Sequence, residues 1–216
     1  MMHLLLPATL ETLYMVSIAT VFTLLFGLPL GIVLVITSKG HLLERPKLNA
    51  VLSYVVNMAR SLPFIILMIF VIPFTRLIVG SSIGTNAAIV PLVIAAIPFY
   101  ARVVESAIHE VDGGVIEAAT AMGARPSAII RQVLIPEALP SLVLGTTITI
   151  INLLGYSAMA GTIGGGGIGD LAIRYGYHRF NTEIMFATIV LLIVLVQLIQ
   201  ASGNLIASQI LKNRRR

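Results

Sequence analysis

The chain has 216 residues, of which 57% are hydrophobic and only 11% charged, with a mean hydropathy of +1.00. A soluble domain carries about 25% charged residues, so most of this chain has no water to face, and bilayer is its natural solvent. The formal charge is +5, and the absence of cysteine excludes a disulfide framework, a thiolate metal site and a cysteine nucleophile.

A helical span needs roughly 20 mostly apolar residues to cross about 30 Å of hydrocarbon. The sequence predicts an all-α polytopic membrane protein of about five transmembrane helices in a single domain, residues 1–216. No Lys or Arg precedes the first apolar stretch, which is longer than a signal-peptide core, so it is read as a retained span covering residues 13–36. Within it Gly27-x-x-x-Gly31 permits close helix approach, within one subunit or between two. A second span covers residues 52–74, interrupted by Arg60. The third, residues 86–104, is the shortest and carries Pro91 and Pro98. The fourth and fifth cover residues 142–161 and 184–206.

Charge placement orients these spans. With the N-terminus outside, the cytosolic segments hold Lys39, Arg45, Lys47, Arg102, Arg125, Arg131, Lys212, Arg214, Arg215 and Arg216, and the outer segments only Arg76, Arg174 and Arg179. Positive charge favours the inner side, so the expected arrangement is N-out, C-in. The tail Lys212–Arg216 then anchors on anionic membrane lipid rather than on nucleic acid.

Spans three and four are separated by a long cytosolic connection, residues 102–140, with five of the nine acidic residues. It carries helix punctuation throughout. Asp112 suits an N-cap, Gly113–Val115 a turn, 116–122 a short helix, and Gly123 the position just past its end. Pro126 suits the first turn of a second, amphipathic helix that Pro136 would end, the pair lying on the inner membrane face. Small residues at Ala118, Ala119, Ala121, Gly123 and Ala124 let another surface approach closely, so the pattern reads as a docking knob.

Glu117-Ala118-Ala119, then Gly123, then Val133-Leu134-Ile135-Pro136 resembles the Glu-Ala-Ala…Gly…Ile-x-Leu-Pro loop of bacterial ABC importer permeases, with Val133 and Ile135 as apolar departures. Arg60-Ser61-Leu62-Pro63-Phe64, Ile72-Pro73-Phe74-Thr75-Arg76, Gly155-Tyr156-Ser157-Ala158-Met159 and the glycine run before Tyr175-Gly176-Tyr177 are similar to the methionine-importer branch. The resemblance implies a multi-pass permease subunit of the bacterial inner membrane, a homodimer paired with two ATP-binding subunits and fed by an extracytoplasmic substrate-binding protein. It further implies alternating access, with Glu117, Ala118, Ala119, Gly123, Ala124 and Pro126 in the coupling helix that meets the ATPase. The chain has no Gly-x-x-x-x-Gly-Lys-[Ser/Thr] loop, so ATP and Mg are expected on the partner, with no cofactor and no catalytic or metal site here. A permease for another polar amino acid, or an ion-coupled transporter working alone, are the competing readings.

Other patterns fail on context. Gly164-x-Gly166-x-x-Gly169 fits a dinucleotide fingerprint but lies between spans, without the strand that the motif needs, and reads as a flexible or tightly turned re-entry segment. Gly167-Ile168-Gly169-Asp170 fits an intramembrane aspartyl protease, which requires a second carboxylate at the same site; the only other aspartate, Asp112, falls on the opposite side. His3, His41 and His109 show no metal-ligand spacing and read as surface histidines. Two pathway candidate sets remain. Arg60, Ser61 and Pro63 form one, the arginine attracting a carboxylate, orienting the break or capping carbonyls that Pro63 frees. Tyr156, Ser157 and Met159 form the other, the methionine offering a soft, polarizable gate or contact.

Overall fold

The computed structural model describes residues 2–214, and those residues hold helices and connections without a strand. Arg215 and Arg216 of the basic tail lie outside the described residues. In chain order the helices are α1 (Met2–Ile36), α2 (Pro46–Arg60), α3 (Phe64–Phe70), α4 (Ile72–Val79), α5 (Thr85–His109), α6 (Gly113–Ala121), α7 (Pro126–Ile129), α8 (Ile135–Gly161), α9 (Gly167–Leu171) and α10 (Thr182–Arg214). Four stretches are long and apolar enough to cross a membrane, and a fifth is supplied by the α2–α3 pair if that bent pair is one span.

The second span is therefore broken, not continuous over residues 52–74. α2 and α3 meet at 100°. Pro63 has no N–H to continue the ladder and holds an extended backbone at φ −58°, ψ 134°. At the end of α2 the Asn57 carbonyl accepts from both the backbone N–H and the hydroxyl of Ser61.

The short, proline-bearing third span turns out to be the axis. α5 has 25 residues, about 38 Å of helix, and packs against α1, α2, α3, α4 and α8. Pro91 and Pro98 stay inside it, buried, as lipid-phase helices tolerate when neighbours surround the freed groups. Gly27 and Gly31 settle on α5 of the same chain: a Cβ on Gly31 would lie 2.5 Å from Val104 Cβ and 2.6 Å from the Ala101 carbonyl oxygen. α5 continues to His109 because its end is paired, Arg102 bonding Glu105 and donating at 3.2 Å to the Ser53 carbonyl of α2.

The fourth span also starts earlier than its apolar run. Pro136 does not end the preceding helix; residues Pro126–Gly161 form one helical rod. A π-helical turn at Ile130–Leu134, in which Ile135 N–H donates to the Ile130 carbonyl, shifts the ladder just before the proline and absorbs its missing donor. Consequently the segment 102–140 comprises the end of α5, α6 and the start of this rod.

Candidate functional site

Two places bring the candidate residues together, one along α6 and one at the α2–α3 bend.

The first is α6. Asp112 caps it, its carboxylate accepting from the Gly114 N–H at 2.7 Å, and helix begins at Gly113 rather than after Val115. At the far end Gly123 has φ +76°, while Gly123 N–H donates to Thr120 and Ala124 N–H to Ala119. This is a Schellman closure, and the left-handed position explains the glycine. Ala119 is buried and seats α6 on the core of Ile108, Ile129 and Leu134, so it faces inward rather than toward a partner. Glu117, Ala118 and Gly123 are exposed. Glu117, Thr120, Ala121, Ala124 and Pro126 line one wall of a cleft of about 910 Å³, whose other wall is Gly40, His41 and Leu42 between α1 and α2.

That second wall was not legible as such. His41 and His109 are not isolated surface histidines; their rings meet edge-to-face at 5.3 Å. Burial and the neighbouring His109 hold the His41 imidazole below its ordinary pKa.

The second place is a cavity of about 110 Å³ at the α2–α3 bend. Arg60 and Tyr156 line it together with Phe64, Leu67 and Phe99, across 96 residues of sequence, 156 − 60. The Tyr156 ring stacks on Phe64 at 4.5 Å and 5°. Pro63 opens α3 and thereby aims Phe64 inward. Ser157 is buried, its hydroxyl spent on the Leu154 carbonyl at 2.7 Å. Met159 is 47% exposed and does not line this cavity, so the Tyr156–Met159 set divides.

A third constellation has no candidate in the sequence reading. The glycine run is tightly turned rather than loose: Gly164, Gly166 and Gly167 all have positive φ, and the turn opens α9. The new N-terminus is capped from α1, where Glu11 accepts from Gly167 N–H at 2.7 Å and Thr12 from Ile168 N–H at 2.8 Å. An acid and a threonine near the start of an apolar helix, facing a glycine turn with free donors, was the available signal. Asp170 bonds Arg174 at this end, while Asp112 caps α6 beyond the far end of α5, which disposes of a shared carboxylate site.

Comparison with known proteins agrees with this architecture. The probable D-methionine transport system permease protein MetI of Vibrio cholerae is 56% identical over 207 residues, 96% of this chain and 92% of that one. The methionine import system permease protein MetP of Bacillus subtilis is 49% identical over 201 residues, covering 93% and 90%. A solved inward-facing structure of the MetNI methionine ABC transporter contains a chain that superposes with a TM-score of 0.96 at 50% identity, covering 97% of each. Residues 24–212 match the model of one family, and the chain belongs to it: the binding-protein-dependent transport system inner membrane components.

Proposed function

We propose that the chain is the membrane-spanning permease subunit of an ATP-driven importer that carries methionine across the bacterial inner membrane by alternating access. The observation that carries this reading is near-full-length identity of about half to permeases named for methionine transport. In this reading residues 1–216 form one permease domain, N-out and C-in, and two copies enclose the pathway. Each copy meets an ATP-binding subunit that holds ATP and Mg, and a binding protein delivers substrate from outside.

The coupling surface is α6, with Glu117, Ala118, Gly123, Ala124 and Pro126 toward the ATPase and Ala119 as its seat. Closure of the ATPases on ATP draws the two α6 helices together. Because α6 rests on α5 and on the rod that becomes α8, that movement reaches the helix carrying Tyr156. Arg60 supplies a fixed positive charge for the amino-acid carboxylate, and the Phe64–Tyr156 stack offers an apolar wall to the thioether. Ser61 and Pro63 set the bend, Ser157 holds the backbone of α8, and Met159 serves as a gate on the exposed side of that helix.

Substrate identity is tested by competition. Uptake of radiolabelled methionine by the assembled importer should be abolished by excess unlabelled methionine and unaffected by the same excess of histidine or glutamine. Tyr156→Ala should lower uptake while the subunits still co-purify. Equal competition by histidine or glutamine would replace methionine with a broader set of polar amino acids.

A further inference from the structure

In lipid, apolarity alone cannot orient a helix, because acyl chains are as apolar as its neighbours. α2 meets that difficulty. Val56 is its one buried residue, meeting Leu34 of α1 and Ala101 of α5, while Leu48, Val51, Tyr54, Val55 and Met58 are exposed. So thin a seat leaves the rotation of α2 about its own axis to be set by something else. That rotation matters, because Arg60 closes the helix and lines one cavity with Tyr156.

Two polar side chains set it. Asn49, in the first turn of α2, donates at 2.6 Å to the Leu34 carbonyl and at 3.2 Å to the Thr37 hydroxyl. Leu34 holds one of the last four carbonyls of α1, which have no partner within that helix. The end of one span therefore takes a hydrogen bond from the start of the next. Four residues along α2, the Ser53 carbonyl accepts from Arg102 of α5 at 3.2 Å. Glu105 holds the same guanidinium, and both side chains are mostly buried. Arg102 Nε is buried without an acceptor, so the group sits where Glu105 and Ser53 require and not where every donor is served. Both hooks end on main-chain carbonyls, which fix a backbone directly. Asn49, Ser53, Val56 and Arg60 follow at steps of four, three and four, so the gripped stripe of α2 runs on to Arg60. Turning α2 by one residue would swing Arg60 about 100° off that stripe.

We propose that Asn49 and Arg102 are positioning residues for transport: together they fix the rotation of α2 and so hold Arg60 at the cavity it shares with Tyr156. The proposal rests on the reading above, in which that cavity meets the substrate.

The chain has no cysteine, so Arg60→Cys with Tyr156→Cys gives each permease a single thiol pair. In the assembled importer a short bifunctional thiol reagent should join the two within one chain, as peptide mass spectrometry reads. Adding Asn49→Leu or Arg102→Lys should lower that yield by at least about 5-fold, the equivalent of one hydrogen bond. Without the cysteines, the same two variants should lower the methionine moved per ATP hydrolysed by at least about 5-fold, with the ATPase still co-eluting. Arg102→Lys keeps the charge and a bond to Glu105 but lacks the second nitrogen that reaches Ser53. Parental coupling in Arg102→Lys would show that the position supplies only a charge, and overturns the proposal. An unchanged cross-link yield in both variants overturns it too, as does a fall in uptake and ATP hydrolysis in equal proportion, which would make the hooks merely structural. No link in the parental cysteine pair, or no ATP-coupled uptake by the parent, would instead defeat the underlying reading of the cavity or of the importer.

Discussion

Gly169→Ala is expected to lower the melting temperature of the protein by roughly 6 °C or more, corresponding to about 3 kcal/mol. A Cβ on Gly169 would lie 2.5 Å from Ala158 Cα and 2.7 Å from its carbonyl carbon, and closer still to its carbonyl oxygen. All three are backbone atoms of a continuous helix, so no rotamer change can make room. Either α9 lifts off α8 or α8 deforms. Lifting α9 also separates Gly167 and Ile168 from Glu11 and Thr12, leaving helix donors without acceptors where no water replaces them easily. Gly155→Ala on α8 is the matched control. Its Cβ would meet nothing within 4 Å, and alanine suits a helix interior better than glycine, so stability should be unchanged or rise by about 0.5–1 kcal/mol. Thermal unfolding of the two variants side by side separates a packing effect from a general cost of altering small residues. Equal melting temperatures for Gly169→Ala and the parent would show that the α8–α9 contact is not a close backbone seat.

Glu117→Arg is expected to weaken capture of the ATP-binding subunit by at least about 10-fold while leaving the permease folded. Glu117 is exposed on the wall of the cleft beside α6 and has no ion-pair partner among the described residues. Reversing its charge therefore breaks nothing inside the chain. Any loss of ATPase reports on the surface between the two proteins. Gly123→Val reaches the same surface by another route. A β-branched residue at φ +76° cannot keep the Schellman closure, so the end of α6 should reshape although nothing lies within 4 Å of the new side chain. Size-exclusion chromatography of the co-expressed subunits reads both variants. If ATPase co-elutes with both as it does with the parent, α6 is not where the ATPase docks.

The membrane architecture was legible because lipid leaves few choices. Long apolar stretches must become helices, and their existence followed from composition. Their ends did not. α1, α5 and α10 each extend beyond the apolar run, because polar groups near an end, such as Arg102 with Glu105, find partners and let the helix continue. Prolines were uneven signals. Pro63 marked a break, but nothing local gives an angle of 100°. Pro136 carried the same stop signal, and the π-helical turn before it removed the need to stop. α6 was readable almost residue by residue, since N-cap, helix and C-terminal glycine are all local in sequence. Its seat was not: that Ala119 faces inward depends on where α5 and the rod before α8 happen to lie. The same holds for every pairing that the fold makes at a distance. Arg60 and Tyr156 were each singled out alone, and only the bend puts them at one cavity. Glu11 with Gly167, and His41 with His109, are joined by helix packing that no spacing rule announces.

The central claim is that this chain moves methionine only when a separate ATPase drives it. The direct measurement is methionine uptake into proteoliposomes made from the permease alone and from the permease with its ATP-binding subunit, each with the binding protein outside and ATP inside. The account predicts uptake against a gradient in the complete system, loss of that uptake when a non-hydrolysable ATP analogue replaces ATP, and none from the permease alone under any imposed proton or sodium gradient. Concentrative uptake by the permease alone, driven by an ion gradient, would contradict it.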